Sequence, residues 1–346
     1  MNRFLIFFAA FLLFVGSTGA NTASAQANQT TNDLIAQLPA SDAVAVSDMK
    51  RLLTVALPQI LASKPAELAA INAHLDEFKA KTGIDARQLD RIAIGMKMNR
   101  VSPKEIDFMP VAIARGNFNA GALLSVGKIA ISGKYREEKI GGKTVLVFSL
   151  KDVAAKLPAP QNAAKAERFS KIISRLMTGE VGVAVVDSNT LAFGDVKQVR
   201  EMFAGNGKNR VSPDLSALVQ KNPNAVMSFA GNIPQNLGGI LNFDNDEIGR
   251  ILGSLRQMYG SLDVAGGSAS LLLAARAETT ESAQDLESTL LGLQMLGSGF
   301  LGSRSDEKSK IAVRALEALK IARTGNEIEM RASVPQTDID KLLGSL

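Results

Sequence analysis

One histidine, His74, and no cysteine occur among 346 residues, and this removes most reactive side-chain chemistry. Without a thiol there can be no disulfide, no thiolate metal site, no cysteine nucleophile and no acylated lipoprotein cysteine. Ser/His/Asp catalysis would have to run through His74, and no Gly-x-Ser-x-Gly elbow accompanies it. Ile71 and Phe78 flank His74 at helical spacing, which reads as a histidine at the boundary of a core. A zinc site needs more ligands of this kind than the chain owns.

Two glycine motifs suggest phosphate chemistry. Gly297-Ser298-Gly299-Phe300-Leu301-Gly302 spells the dinucleotide fingerprint. That fingerprint works when a strand feeds the glycine turn and a helix N-terminus receives the pyrophosphate. Here Leu286, Leu290, Leu293 and Leu296 precede it at helical spacing, so a flexible connection between helices is expected. Gly142-Lys143-Thr144 has the end of a P-loop, but Glu137 stands where the leading glycine belongs and would repel phosphate. A hairpin turn is expected instead.

Ser47-x-x-Lys50 and Lys81-Thr82-Gly83 match two of three short motifs of penicillin-recognising serine enzymes. They lie close together, without the intervening Ser-x-Asn. Ser47 and Asp48 are read as a helix start, and Gly83 as a helix end. Asn242, Asp244 and Asp246 alternate as in a calcium loop, yet Glu247 takes the glycine position and Gly253 the glutamate position. Asp244 or Asp246 is better placed as a helix N-cap. Paired carboxylates for glycoside cleavage stay open, because their spacing is spatial. An aromatic content of 5% with no Trp argues against a sugar cleft. No residue is assigned a catalytic, cofactor-binding or metal-binding role, and no cofactor is expected.

Leu290 to Leu301, apolar and glycine-rich, is the least ordinary segment. It reads either as a mobile loop touching a lipid, membrane or partner, or as a core helix with glycines at close packing points. The core helix is the preferred reading.

The elements that position these residues follow from periodicity and punctuation. Gln26 to Asn32 is polar, and 26–41 is expected to be a disordered or linker segment. Ala43 to Val46 reads as a buried strand, Met49 to Leu61 as a helix behind Asp48, and Lys64-Pro65 to Gly83 as a second helix. Strands are expected at Arg91 to Met98 and Pro110 to Phe118, and Asn119 caps a helix through Ile129. Lys134 to Ile140 and Thr144 to Leu150 form a hairpin about Gly141-Gly142. Helices at Val153 to Leu157 and Ala163 to Met177 come next. A hairpin of Val181 to Val186 and Thr190 to Phe193 leads to a helix capped by Asp195. Beyond Gly205, the reading is strand Ala225 to Ala230, helix Leu237 to Tyr259, strand Ser268 to Glu278 and helix Thr280 to Leu296. Helix Asp306 to Ala322, strand Glu327 to Val334 and helix Asp338 to Leu343 complete it.

The pentapeptide Asn99-Arg100-Val101-Ser102-Pro103 recurs as Asn209-Arg210-Val211-Ser212-Pro213. Strands ending in Gly-Asn follow each copy, at Val111 to Asn117 and Val226 to Asn232. This suggests a duplication. The fold class expected is α+β: two tandem related units, 42–205 and 206–346, with mainly antiparallel sheets and helices packed on one face.

The N-terminus carries an address. Asn2 and Arg3 precede twelve unbroken apolar residues, Phe4 to Val15. As a helix they rise about 18 Å, short of the roughly 30 Å of a hydrocarbon core. Ala23-Ser24-Ala25 then offers a signal-peptidase site, so 1–25 reads as a cleaved signal peptide. The product is expected to be periplasmic or secreted, with no transmembrane segment after cleavage. The net charge of +5 is scattered and speaks against a nucleic-acid partner.

Ala43-Val44-Ala45-Val46-Ser47-Asp48, Thr82-Gly83-Ile84-Asp85 and Thr190-Leu191-Ala192-Phe193-Gly194-Asp195 together are similar to uncharacterised exported bacterial proteins with repeated α/β units. The resemblance implies export and architecture, and no activity or site residue. The functional reading is a non-enzymatic binding or assembly protein of the cell envelope, whose partner is a protein, an envelope component or an apolar ligand. Two alternatives stand beside it: an exported hydrolase using carboxylates or an unrecognised serine, and a carrier of lipid or another apolar ligand. N-terminal sequencing of the product exported by its native host is expected to begin at Gln26. A product beginning at Met1 would refute cleavage.

Overall fold

The computed structural model describes residues 24–83, 85–102, 105–131, 133–149, 179–205, 209–234 and 246–344. Helix α1 (Ser24–Gln37) is followed by strand β1 (Ala43–Asp48). Helix α2 runs through Met49–Arg51, a π segment Leu52–Ala56 and Leu57–Ile60, and helix α3 spans Pro65–Thr82. Strands β2 (Leu89–Ser102) and β3 (Glu105–Gly116) precede helix α4 (Ala120–Ala130). Hairpins β4 (Arg136–Ile140)/β5 (Lys143–Ser149) and β6 (Glu180–Asp187)/β7 (Thr190–Asp195) lead to helix α5 (Val196–Ala204). Then come helix α6 (Pro213–Val219), strand β8 (Met227–Asn232) and helix α7 (Asp246–Ser254). Strands β9 (Leu255–Ala265) and β10 (Ser268–Ala277) are followed by helices α8 (Thr280–Gly302) and α9 (Glu307–Ala318). Strands β11 (Lys320–Thr324) and β12 (Glu327–Pro335) and helix α10 (Gln336–Gly344) end the chain.

The local signals act as their chemistry requires. Asp48, Asn119 and Asp195 each accept a backbone N–H from the first turn of their helices. Gly141 and Gly142 both take positive φ, which a two-residue hairpin turn with the right twist demands.

The described strands form one antiparallel α+β sheet in the order β11-β12-β10-β9-β8-β1-β2-β3-β7-β6-β5-β4. β1 lies between β2 and β8, with Ala45 opposite Ile94 on one side and Phe229 on the other. The expected boundary at 205/206 is therefore no break in the sheet, because the first strand of one half pairs with the first strand of the other. From this pair outward the chain order is alike on both sides: β1, β2, β3, β7, β6 and β8, β9, β10, β12, β11. The hairpin β4/β5 extends one side. The recurring pentapeptide does not mark that correspondence. Its first copy ends β2, whereas in the second Ser212 caps α6.

The expectation that helices pack on one face needs correction, because both faces are apolar. On the front face Val44, Val46, Ala93, Ile113, Ala192, Ala184 and Val145 form the main core with α1, α5 and α6. On the back face Ile328, Leu255 and Ala277 pack with Ala283, Leu286 and Leu290 of α8. Lys128 of α4 reaches Glu137, which shares the back face with Leu146 and Val183.

Other expectations also change. The segment 26–41 is mostly helix α1, not a linker: Leu34, Ile35 and Leu38 are buried in the front core. Arg91 binds both Thr31 of α1 (2.6 Å) and Asp48 (2.8 Å), which fixes that helix against β1 and β2. The helix expected to continue to Tyr259 ends at Ser254, and β9 begins at Leu255, because the sheet needs Tyr259 opposite Ala230. Lys320–Thr324 is strand β11 rather than the end of a helix. The expected helices at 153–157 and 163–177 lie outside the described residues.

Leu34→Ala is expected to destabilise the protein by about 2–5 kcal/mol in urea unfolding, as for a core leucine. A change below about 0.5 kcal/mol, typical of a surface site, would mean that α1 is not part of the core.

Candidate functional site

The residues singled out in the sequence do not converge on a reactive centre. His74 stands on the exposed side of α3, 3.7 Å from Glu77, and is a surface histidine rather than a boundary one. Ser47 lies in β1 and donates to the Val226 carbonyl at 3.3 Å. Asp246 opens α7, while Asn242 and Asp244 lie outside the described residues. Gly297 to Gly302 is not a connection but the last turns of α8, and no strand feeds it. Among the described residues no group of three or more His, Cys, Asp or Glu side chains is placed to hold a metal.

An open groove with a volume of 620 Å³ lies at one end of the sheet. Lys221, Arg256, Gln257, Arg276, Glu278, Asn326 and Glu327 line it on the front face of β9, β10 and β12. Its charges are matched. Glu327 accepts from Lys221 (2.6 Å) and Arg276 (2.7 Å), Arg276 also holds Asp214 (3.1 Å), and Arg256 pairs with Glu278. The phenol of Tyr259, almost wholly buried, donates toward Glu327 (2.7 Å) and Glu329 (2.9 Å). Burial and those two carboxylates raise the phenol far above its ordinary range, although Lys221 lies over its ring. A phenol held protonated in this way is a fixed donor and not a base. Burial alone would raise the Glu327 carboxyl, but hydrogen bonds from Lys221, Arg276 and Tyr259 outweigh it and hold it at about 2. The arrangement ties α6 to the end of the sheet.

The second unusual place is α8. Thr279 caps it by accepting from the Ser282 N–H. Its inward stripe is Ala283, Leu286 and Leu290, packed against Ile321 and Ile328. Gln294 continues the stripe and donates to the carbonyls of Leu316 (2.5 Å) and Leu319 (2.9 Å) on the chain leaving α9. At Gly297 a Cβ would stand 3.2 Å from Leu316, so glycine allows the two helices to close up. The close-packing glycine that the sequence suggested is real at this position. Gly292, Gly299 and Gly302 face open space instead.

The outward arc of the same turns is uncovered. Met295 is 77% exposed, Leu296 72%, Phe300 63% and Leu293 59%. At 100° per residue, Leu293, Phe300 and Leu296 line one side of this arc and Leu291 and Met295 the other, with Gly292 and Gly299 between. From Ser288 to Ser303 no residue is charged. Asp285 and Glu287, just before this stretch, hold Arg250 (3.1 Å) and Arg323 (2.8 Å). Just after it, Arg304 lies 4.7 Å from the Phe300 ring centre. Thus the segment expected to be core is core along one stripe only.

Glu327→Gln is expected to lower stability at pH 7, and the deficit relative to wild type should shrink below pH 4.5. A carboxyl held near 2 in the folded chain and near 4.5 when unfolded stabilises above pH 4.5, and loses that contribution as pH falls toward 2. Urea midpoints measured between pH 7 and 3 read the difference. A deficit constant with pH would exclude the ion network as its source.

No family model matches the sequence, and no curated protein matches it. Among solved structures, the chain is similar to crystal form III of TP0453, with 9% identity, a TM-score of 0.43 and coverage of 91% of this chain and 98% of that one. Crystal form IV gives 9% identity, a TM-score of 0.42 and coverage of 92% and 99%. Crystal form I gives 10% identity, a TM-score of 0.40 and coverage of 90% and 97%. These are loose likenesses of fold.

Proposed function

We propose that this chain is an exported, non-enzymatic binding or assembly protein of the cell envelope, and that it works through the outward arc of α8. The exposure of Met295, Leu296 and Phe300 on one uncharged helix end carries this reading. Burying a large apolar side chain stabilises a protein by about 1.5–3 kcal/mol, and contiguous uncovered patches usually mark interaction sites. The first half of the same helix turns polar residues such as Gln284 and Asp285 outward, whereas the second half turns Leu293, Met295, Leu296 and Phe300 outward.

Export supports the envelope as the place of action and rests on the apolar run Phe4 to Val15 and the site at Ala25. The matched ion pairs of the front groove favour a structural role for it over hydrolysis. The like order of strands on either side of β1 and β8 supports the reading of two related units, of which the second carries the binding helix.

A photo-cross-linking phenylalanine analogue at Met295, introduced into the full chain in its native host, is expected to give an adduct in the envelope fraction. The same analogue at Lys197, exposed on α5, should give none. Mass analysis then distinguishes a protein adduct from a lipid adduct. Equal adducts at both positions, or none at 295, would refute the assignment of the α8 arc as the binding surface.

A further inference from the structure

We infer that the occupant of the α8 arc is the interface of an anionic lipid bilayer, in which Ser288 to Ser303 lies flat rather than crossing. This rests on the reading of α8 as the binding surface and names its partner. Three observations on the helix lead to it.

The first is length. From Ser288 to Gly302, fifteen residues of helix rise about 22 Å, below the roughly 30 Å of a hydrocarbon core. No helix among the described residues is long and apolar enough to cross a membrane. An apolar arc on a helix whose other stripe is anchored to the protein can enter a bilayer only sideways. Such helices sink about 5–10 Å, to the depth of the boundary between headgroups and acyl chains.

The second is the distribution of charge. The carboxylates nearest the arc, Asp285 and Glu287, are neutralised by Arg250 and Arg323. At the other end, Arg304, Lys308 and Lys310 are exposed and make no ion pair among the described residues. The acids beside them are engaged: Asp306 caps α9 through Ser309, and Glu307 holds Lys341. Arg304, at the end of the arc and against the Phe300 ring, adds a cation beside an uncharged apolar surface, which matches acyl chains beneath anionic headgroups. A second copy laid antiparallel would meet those cations with Asp285 and Glu287, which are already paired. A copy of this chain is therefore the poorer match.

The third is concentration: of the eleven exposed large apolar side chains among the described residues, five, Leu291, Leu293, Met295, Leu296 and Phe300, lie on this one arc. Ile129 of α4 is also uncovered, at 79%. However, α4 and α8 lie over opposite ends of the sheet, eight strand steps apart from β12 to β6. At a twist of roughly 20° per step the back face turns by about 160° between them. A twist of this size turns the two helices away from one plane, so the contact is assigned to α8.

The test is flotation of the full chain with vesicles of pure phosphatidylcholine and of phosphatidylcholine mixed equally with phosphatidylglycerol. Wild type is expected to float with the anionic vesicles, and less so as salt is raised. Leu296→Asp and Phe300→Asp, each at a solvent-facing position, should lower the bound fraction roughly tenfold or more while leaving the thermal melt unchanged. Arg304→Glu combined with Lys308→Glu should abolish the preference for anionic vesicles and leave the weak binding to neutral ones. Wild type that stays unbound to both vesicles overturns the inference, as does binding indifferent to Leu296→Asp and Phe300→Asp. A dimer that Leu296→Asp converts to monomer, without vesicle binding, also overturns it. A protein adduct at position 295 together with no flotation refutes the lipid partner but keeps the binding surface.

Discussion

The pairing of β1 with β8 is the constraint on which the rest depends. Each is the first strand of its half, and together they place both halves in one hydrogen-bonded ladder. Because the pairing is central, neither strand leaves an open edge, and the sheet grows outward in both directions. The residues of β1 alternate strictly: Val44 and Val46 enter the front core, while Ala43, Ala45 and Ser47 face the back. A slip of one residue would exchange the two sets, so burial itself fixes the register. The Asp48–Arg91–Thr31 contacts then secure α1 over the same strands.

A sheet of this width has two long apolar faces, and the chain covers them unequally. The front middle is covered by α1, α5 and α6. Its far end, over β10 and β12, is covered by charge instead: Arg276, Glu327, Glu329 and Arg331 stand on the side where α8 does not reach. The back of that same end receives α8 and α9. The two ways of finishing one sheet end, ions in front and helices behind, leave Tyr259 buried between neighbouring strands with its hydroxyl in the ion network.

The exposed arc of α8 is a consequence of geometry. The inward stripe of the helix passes from the sheet onto α9 at Gln294 and Gly297. Only one stripe can touch α9. A half-covered helix is stable when its outer residues are polar, as Gln284 and Asp285 are in the first half. In the second half they are Leu293, Met295, Leu296 and Phe300, and nothing among the described residues covers them.

Sequence alone determined what depends on near neighbours. Absent cysteine, one histidine and broken motif spacing removed whole classes of chemistry. Asp48, Asn119 and Asp195 announced helix starts, and Gly141-Gly142 a hairpin, because caps and turns act within three or four residues. Leu290 to Leu301 stood out as unusual for the same reason. Only the tertiary structure decided that Leu34 to Leu38 docks, that Leu255 starts a strand, that the halves share one sheet, and that helices cover both faces. The first three depend on partners distant in the chain: Arg91 for Thr31 of α1, Phe229 for Gly260, Ala45 for Phe229. Periodicity shows that a stripe is apolar. It cannot say whether the protein supplies something to cover it, and for the outer arc of α8 the structure leaves it to the solvent.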